Sequence, residues 1–303
     1  MTLDDFQTKY DSLLENDPIS KEMLDLLRDW SLELIKDNNY EEAQDRVDEY
    51  LFRAFRGDLS LYEGFQFFSF RGFSEYSLKD ISEGTLSLAH PEEFNDPLDT
   101  VLFTYLQLMI SEEKDSLSQQ RYCMLLKAAH QLRMRCFVRT TSIDGEDGKP
   151  AVKEQDIKDV NPLMWAHYAQ YHTGFCALYE LDDSFVKCDN DSKSFTRMAK
   201  LEYQKNIDIS QGLTIGEAFL WKNAIWDYEH EVRVIDFDLS NKLRYKELRA
   251  PHLKAIYLGL KCSDENRHKM ELALRSQREK NVELYQMQID PSNICQLIPE
   301  RIG

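Results

Sequence analysis

The sequence predicts an α+β fold, a mixed sheet of short strands joined to an N-terminal helical unit. Three observations carry this. Residues 1–60 hold only helical periodicity. From residue 65 onward, short aromatic and β-branched runs alternate with helical stretches. The chain has 303 residues with 42% hydrophobic and 30% charged content, an ordinary globular composition with length for about two domain-sized units. The predicted division is residues 1–60, an acidic helical unit, and residues 61–303, a mixed α/β domain.

In the first unit, Met23, Leu27, Trp30 and Leu34 recur at spacings of 4, 3 and 4, one stripe of a helix. Asp17-Pro18 separates it from what precedes. Asn39 followed by Glu42 has the form of a capping box, opening a helix that carries Val47, Leu51 and Phe55. Gly57 offers its stop. Phe65 to Arg71 then reads as an aromatic strand. Tyr76, Leu78 and Ile81 fit a short helix that Gly84 ends. Thr85 to Ala89 alternates as a strand, and Pro91 and Pro97 bracket a turn-rich stretch. Residues 98–132 read as helical with a charged break at 111–119. Cys136 to Val138 reads as a strand, and Asp144 to Pro150 as an exposed loop. Leu163 to Tyr171 reads as an aromatic helix and Gly174 to Tyr179 as a buried strand. Further strands are expected over Glu229 to Phe237, Ala255 to Leu258 and Val282 to Met287, with a charged helix over 263–279.

Charge and absences narrow the function. Asp and Glu number 54 against 37 Lys and Arg, a net charge of −17. Such a balance disfavours a general grip on nucleic acid or anionic lipid. Residues 1–60 contribute −9 of it, with 16 acidic and 7 basic residues. The acidity therefore describes mainly the helical unit, a candidate surface for a protein partner, and leaves a nucleic-acid acceptor open for the main domain. No run approaches the about 20 apolar residues that span a bilayer, and the acidic start lacks a signal core. No membrane association is expected. The six cysteines lack metal-type or disulfide-type spacing and read as reduced thiols of a cytoplasmic protein. No Gly-rich phosphate loop, nucleophile elbow or zinc-binding helix is present.

Four constellations could carry chemistry. The first is Trp226-Asp227-Tyr228-Glu229-His230-Glu231-Val232-Arg233. On a strand, Glu229, Glu231 and Arg233 share one face. Two neighbouring carboxylates suit a site where one orients a hydroxyl or water and the other stabilises positive charge. The same pattern also fits a solvated face on which Arg233 neutralises Glu231. The second runs from Met164 to Phe175 and includes Trp165, His167, Tyr168, Tyr171 and His172, either core or the walls of a flat-ring pocket. The histidines are five apart and make no i,i+4 metal pair. The third is Asn95-Asp96-Pro97-Leu98-Asp99, a structural turn or a polar cleft rim. The fourth is Arg71, a surface residue or an anion clamp at a strand end.

In order, Phe70-Arg71, Phe94 to Pro97, Cys136-Phe137-Val138, Met164 to Ala169, His172 to Cys176, Trp226 to Arg233 and Ile256 to Gly259 resemble the blocks of the bacterial domain-of-unknown-function family 2971. The resemblance covers about residues 65–290. Phe70 stands where the family has Tyr, and Val138 where it has Ser. More loosely, the order resembles an ADP-ribosyltransferase core. That resemblance implies an enzyme that consumes NAD, by ADP-ribosyl transfer or hydrolysis, in a bacterial toxin or phage-defence setting. It implies that Arg71 holds the phosphates or ribose of NAD, and that Trp165 and Tyr168 line a nicotinamide pocket. Glu231 would stabilise the oxocarbenium ion and Glu229 would orient the acceptor. Asn95, Asp96, His167, His172 and Arg233 complete the expected nucleotide-binding set, with no metal among the assigned sites. Two other readings stay open. One is a metal-dependent nuclease using Asp96, Asp99, Glu229, Glu231 and Arg233. The other is a non-catalytic ligand-binding or sensor module.

Overall fold

The computed structural model describes residues 3–16, 21–54, 64–94, 96, 99, 101–139, 156–182, 185, 194–206, 219–238, 246–277 and 281–303. Its helices are α1 (Leu3–Asn16), α2 (Lys21–Lys36), α3 (Tyr40–Ala54), α4 (Glu75–Glu83), α5 (Val101–Glu112), α6 (Ser116–Ala129), α7 (Leu163–Tyr168) and α8 (Asp264–Ser276). Its strands are β1 (Gln66–Arg71), β2 (Thr85–Leu88), β3 (Leu132–Val138), β4 (Phe175–Glu180), β5 (Ser194–Lys200), β6 (Glu202–Gln204), β7 (Trp221–Asn223), β8 (Glu231–Asp238), β9 (Lys246–Arg249), β10 (His252–Leu258), β11 (Glu283–Asp290) and β12 (Asn293–Arg301). The expected Asp144 to Pro150 loop and Gly57 stop lie outside the described residues, as does the division at residue 60. Mixed helix and strand around a mixed sheet makes the fold α+β.

Helix α2 buries the stripe that its spacing predicts: Met23, Leu27, Trp30 and Leu34 are all at most 3% exposed. Phe6 and Tyr10 of α1 pack on the same cluster. Asn39 precedes α3, and its side chain bonds Glu42 at 2.7 Å. Several acids of these helices pair with bases, as in Lys9–Glu22, Arg28–Asp25 and Arg46–Glu49. This bundle continues into the rest of the chain. Leu117 and Met124 of α6 pack on its core, while Val47 of α3 joins Leu106, Leu125 and Leu132 in the next one.

Eight strands form the main sheet in the order β12-β11-β10-β4-β1-β3-β8-β5. Only β10 and β11 run parallel within it. Strand alternation gives it two buried faces. On one face Phe67, Phe137, Tyr179, Val232 and Val234 meet Ile81 of α4 and Met270 of α8. On the other, Phe68, Phe70, Val138 and Cys176 meet Met164 and Trp165 of α7. Burial on both faces explains the continuous apolar run from Phe175 to Tyr179. Helix α4 begins with Ser74 and Ser77 in a reciprocal capping box and ends at Gly84, φ 67°.

The sheet has one weak seam. Strand β1 pairs with β4 over six successive positions, from Gln66↔Glu180 to Arg71↔Phe175. Among the described residues it pairs with β3 at Phe68↔Val138 alone. Beyond that pair the two strands separate. The small sheet of β2 and β9 lies across the opening, tied to β3 by the Ala89↔Met134 bridge.

The helix expected to reach Tyr171 ends at Tyr168. Gln170, Tyr171 and His172 take left-handed φ values of 47°, 55° and 70°, which breaks the helical run. Backbone bonds His172 N to Trp165 O and Gly174 N to Ala169 O hold this turn. Gln170 Oε1 accepts from Phe73 N, anchoring the turn to the end of β1. The chain then returns so closely that a Cβ at Gly174 would lie 2.2 Å from the Arg71 carbonyl oxygen. A Cβ at Gly259 would lie 2.3 Å from the His172 carbonyl oxygen. The blocks around His172 and Ile256 to Gly259 therefore meet as framework supporting Arg71. Gly174→Ala should destabilise the protein by about 1–3 kcal/mol or more, because backbone and not a yielding side chain opposes the methyl group. A urea titration measures it, and an unchanged midpoint would contradict the packing described.

Candidate functional site

The separation of β1 from β3 opens a cavity of about 430 Å3. Phe70 and Arg71 line it from β1, and Met134 to Val138 from β3. Leu88, Phe94 and Met164 add apolar wall, and Asp99, Tyr168, Lys222, Glu229 and Glu231 form a charged floor. Glu93, Arg135 and Glu247 also line it, so the cavity joins apolar wall to many charged groups, and its size suits a small polar molecule.

The floor is assembled from four separate segments. Asn223 caps a 3-10 helix over Ala224–Glu229, its side chain accepting from Ile225 N. His230 follows with φ 44°, and β8 starts at Glu231. Glu229 is thus not part of the strand that the sequence predicts. A left-handed residue, rather than strand alternation, turns Glu229 and Glu231 onto the same partner. That partner is Lys222, the buried middle residue of β7. Its Nζ lies 2.6 Å from Glu229 Oε2, 2.9 Å from Glu231 Oε2 and 3.4 Å from Asp99 Oδ2. The ammonium donates to Glu229 and Glu231 and lies in ion-pair range of Asp99.

The remaining oxygens are also engaged. Arg233 donates to Glu231 Oε1 at 2.6 Å, to the Phe219 carbonyl at 3.0 Å and to Asp99 Oδ1. Its guanidinium also faces the Phe94 ring. Tyr168 donates its hydroxyl to Glu229 Oε1 at 2.6 Å. The Glu231 amide donates to the Tyr203 hydroxyl at 2.8 Å. Glu229, Glu231, Asp99, Lys222 and Arg233 are each at most 4% exposed. A solvated face is therefore ruled out for the Glu229–Arg233 block.

Burial and neighbours push the two glutamates in opposite directions. Burial raises Glu229, and Lys222 and the Tyr168 hydroxyl only partly offset it. Burial would also raise Glu231, but Arg233 and Lys222 prevail and hold it at about 2. Lys222 is raised: burial opposes its charge, but three carboxylates outweigh that. Burial and the nearby Glu231 carboxylate raise the Cys136 thiol far above its usual value, leaving it protonated and a poor nucleophile. Three carboxylates face two fixed cations, so one negative charge is surplus. Glu229 is the member that can shed it by taking a proton.

Of the expected site residues, Arg71, Tyr168, Glu229 and Glu231 converge on the cavity. Others do not. Trp165 is 1% exposed and packs edge-on against Phe70, behind the wall, because its ring completes the core under β1. His167 is exposed and meets the edge of Trp226. His172 stacks on Trp165 within the left-handed turn. Arg233 lies beneath the floor, fully buried, and fixes Glu231 and Asp99 rather than reaching a ligand. Asp96 is half-buried off the cavity, its carbonyl accepting from Asp99 N. Asn95 lies outside the described residues.

Sequence reasoning missed Lys222 and Arg135. Both left a signal. Lys222 is a lone cation within the apolar run Phe219 to Trp226, broken otherwise only by Asn223. Arg133 and Arg135 stand at period two inside the buried strand Leu132 to Val138. Among the described residues, no helix is long and apolar enough to cross a membrane. Comparison with protein-family models, curated proteins and solved structures finds no match.

Two measurements test this electrostatic arrangement. Lys222→Met should cost about 3–5 kcal/mol at pH 7, since it strands buried carboxylates, and less at pH 5, where they can take up protons. Glu231 is held below its usual 4.5, so its contribution is present above 4.5 and lost as pH falls towards about 2. Glu231→Gln should therefore flatten the acid limb of the stability curve over that window. Equal slopes in variant and parent would show that Glu231 is not depressed.

Proposed function

We propose that the protein is an NAD-consuming enzyme that breaks the bond between nicotinamide and ribose and passes the ADP-ribosyl group to an acceptor or to water. The observation that carries the reading is the pair Glu229 and Glu231 on one cavity floor, with proton affinities pushed apart. Such a divergence separates a permanent anion from a group that trades protons. The same blocks resemble domain-of-unknown-function family 2971 and, loosely, an ADP-ribosyltransferase core.

Breaking the glycosidic bond sends the bonding electron pair out with neutral nicotinamide and leaves an oxocarbenium ion on the ribose. Glu231, ionised and fixed by two cations, supplies a preorganised negative field for that charge. Glu229, with its raised proton affinity, takes the proton of the attacking hydroxyl or water. The surplus negative charge of the floor favours a cationic pyridinium ring over a neutral one. Apolar walls from Phe70, Phe94 and Met164 would exclude water from the ring.

The nuclease reading uses Asp99, Glu229 and Glu231 together with Asp96. It is weaker because Asp96 lies off the cavity and Lys222 Nζ already lies within 2.6–3.4 Å of an oxygen from each of the other three, where a shared metal ion would sit.

The test is release of nicotinamide from labelled NAD by the folded protein, with cell extract present to supply an acceptor. Release should fall about 100- to 1,000-fold in Glu231→Gln, the scale of losing one preorganised electrostatic group. It should hold in Glu265→Ala, whose carboxylate pairs with Lys269 on exposed α8. No release by the parent protein would reject the proposal, and magnesium-dependent cleavage of RNA or DNA would replace it with the nuclease. Binding of NAD without turnover would replace it with a sensor.

A further inference from the structure

The cavity has a second charged end, opposite in sign to its floor. Extending the Phe68↔Val138 register along the separating strands brings Arg71 level with Arg135. Both line the cavity. On β3, Arg135 is three residues from Val138, the partner of Glu231, or about 10 Å along the strand. Strand alternation sends Arg135 to the opposite side of the slot from Cys136 and Val138.

The two arginines differ in their partners. Arg71 donates to Asp80 at 2.8 Å, and Asp80 is itself held by Thr85 and by the amide and hydroxyl of Ser87. Arg135 donates to the Ser69 hydroxyl at 2.7 Å and has no ion pair among the described residues. Glu247, which also lines the cavity, is engaged by Lys79 at 2.7 Å. A guanidinium placed beside another cation, without a carboxylate of its own, opposes folding unless a ligand repays it. Burial and the nearby Arg71 lower Arg135 to about 9, and Asp80 offsets them only in part. The first turn of α4 faces the same cavity through Ser74 and Tyr76, with Glu75 offsetting the positive end of the helix.

We propose that Arg135, with Arg71, forms an anion subsite that takes a phosphate group of the ligand, while the carboxylate floor takes its cationic end. The inference rests on reading the cavity as a ligand site, and it narrows the ligand to a phosphorylated molecule with a cationic group. It assigns to Arg135 a contact that neither its position in the sequence nor any expected motif supplies. Arg71, tied to Asp80, is the fixed side of the subsite, and Arg135 the side that gains a counterion on binding.

Calorimetric titration of the intact protein with pyrophosphate, in EDTA, tests the subsite without any turnover. Pyrophosphate and nicotinamide mononucleotide should bind, and each should bind at least tenfold more tightly than nicotinamide riboside, which lacks phosphate. Arg135→Met should weaken both by about 10- to 100-fold, the scale of losing a charge-assisted bond, and Arg135→Lys should recover part of it. Arg135→Met should also unfold at the same or a higher urea concentration than the parent, since it removes a cation that is only partly offset. A structural role would lower that midpoint. Absence of pyrophosphate binding at millimolar concentration, or equal binding by Arg135→Met, would overturn the subsite. Pyrophosphate binding without nicotinamide release would leave it standing and remove the glycosidic reaction instead.

Discussion

The site depends on one ammonium group. Lys222 Nζ holds Asp99, Glu229 and Glu231, which come from two separate segments of the chain. Without it, three carboxylates, each at most 4% exposed, would be packed against a single guanidinium. Charge of that kind is tolerated inside a protein only when each group has a partner in hydrogen-bonding geometry. Lys222 and Arg233 together engage five of the six carboxylate oxygens, and the Tyr168 hydroxyl takes the sixth. The network is closed, yet one negative charge exceeds the cations. That surplus is what a cationic ligand or a proton on Glu229 would answer.

The cavity above this floor follows from a defect in sheet pairing. A continuous ladder between β1 and β3 would bring their backbones within hydrogen-bonding distance and leave no room between them. The absence of pairing between Ser69–Arg71 and Arg135–Phe137 leaves the side chains of both strands free to line the slot from either side. Aromatic wall and carboxylates occupy one side and the two arginines the other. The left-handed turn at Gln170 to His172 and the close approaches at Gly174 and Gly259 fix the end of β1, and with it Arg71. Much of the motif-like sequence around residues 165–176 and 256–259 is thus scaffold.

Local signals were legible wherever one element decided the outcome. The α2 stripe, the capped α4 ending at Gly84, the break between α5 and α6 and the buried β4 all follow from spacing and end signals. The pairing of Glu231 with Arg233 followed from strand alternation. Glu229 does lie beside Glu231, but through the left-handed His230 and not through strand alternation, since the chain turns before the strand begins. Trp165 carries the sequence pattern of a pocket wall, but a large ring on a short helix under a sheet gains more by completing the core. Strands β5, β6, β7, β9 and β12 were not anticipated, because short or polar edge strands carry little periodicity.

By itself the sequence determined the α+β class, the helical N-terminal segment with its share of the acidity, and a cluster of charged residues near 229–233. Periodicity and end signals act over a few residues, and those features are local. Only the tertiary structure decided which charges meet. Asp99 and Arg233 are 134 residues apart, and Arg135 and Ser69 are 66 apart. No local pattern records such a meeting. It arises when the sheet forms, and its energetic consequences, a depressed Glu231, a raised Glu229 and a cation only partly offset, come from burial that exists only in the folded chain.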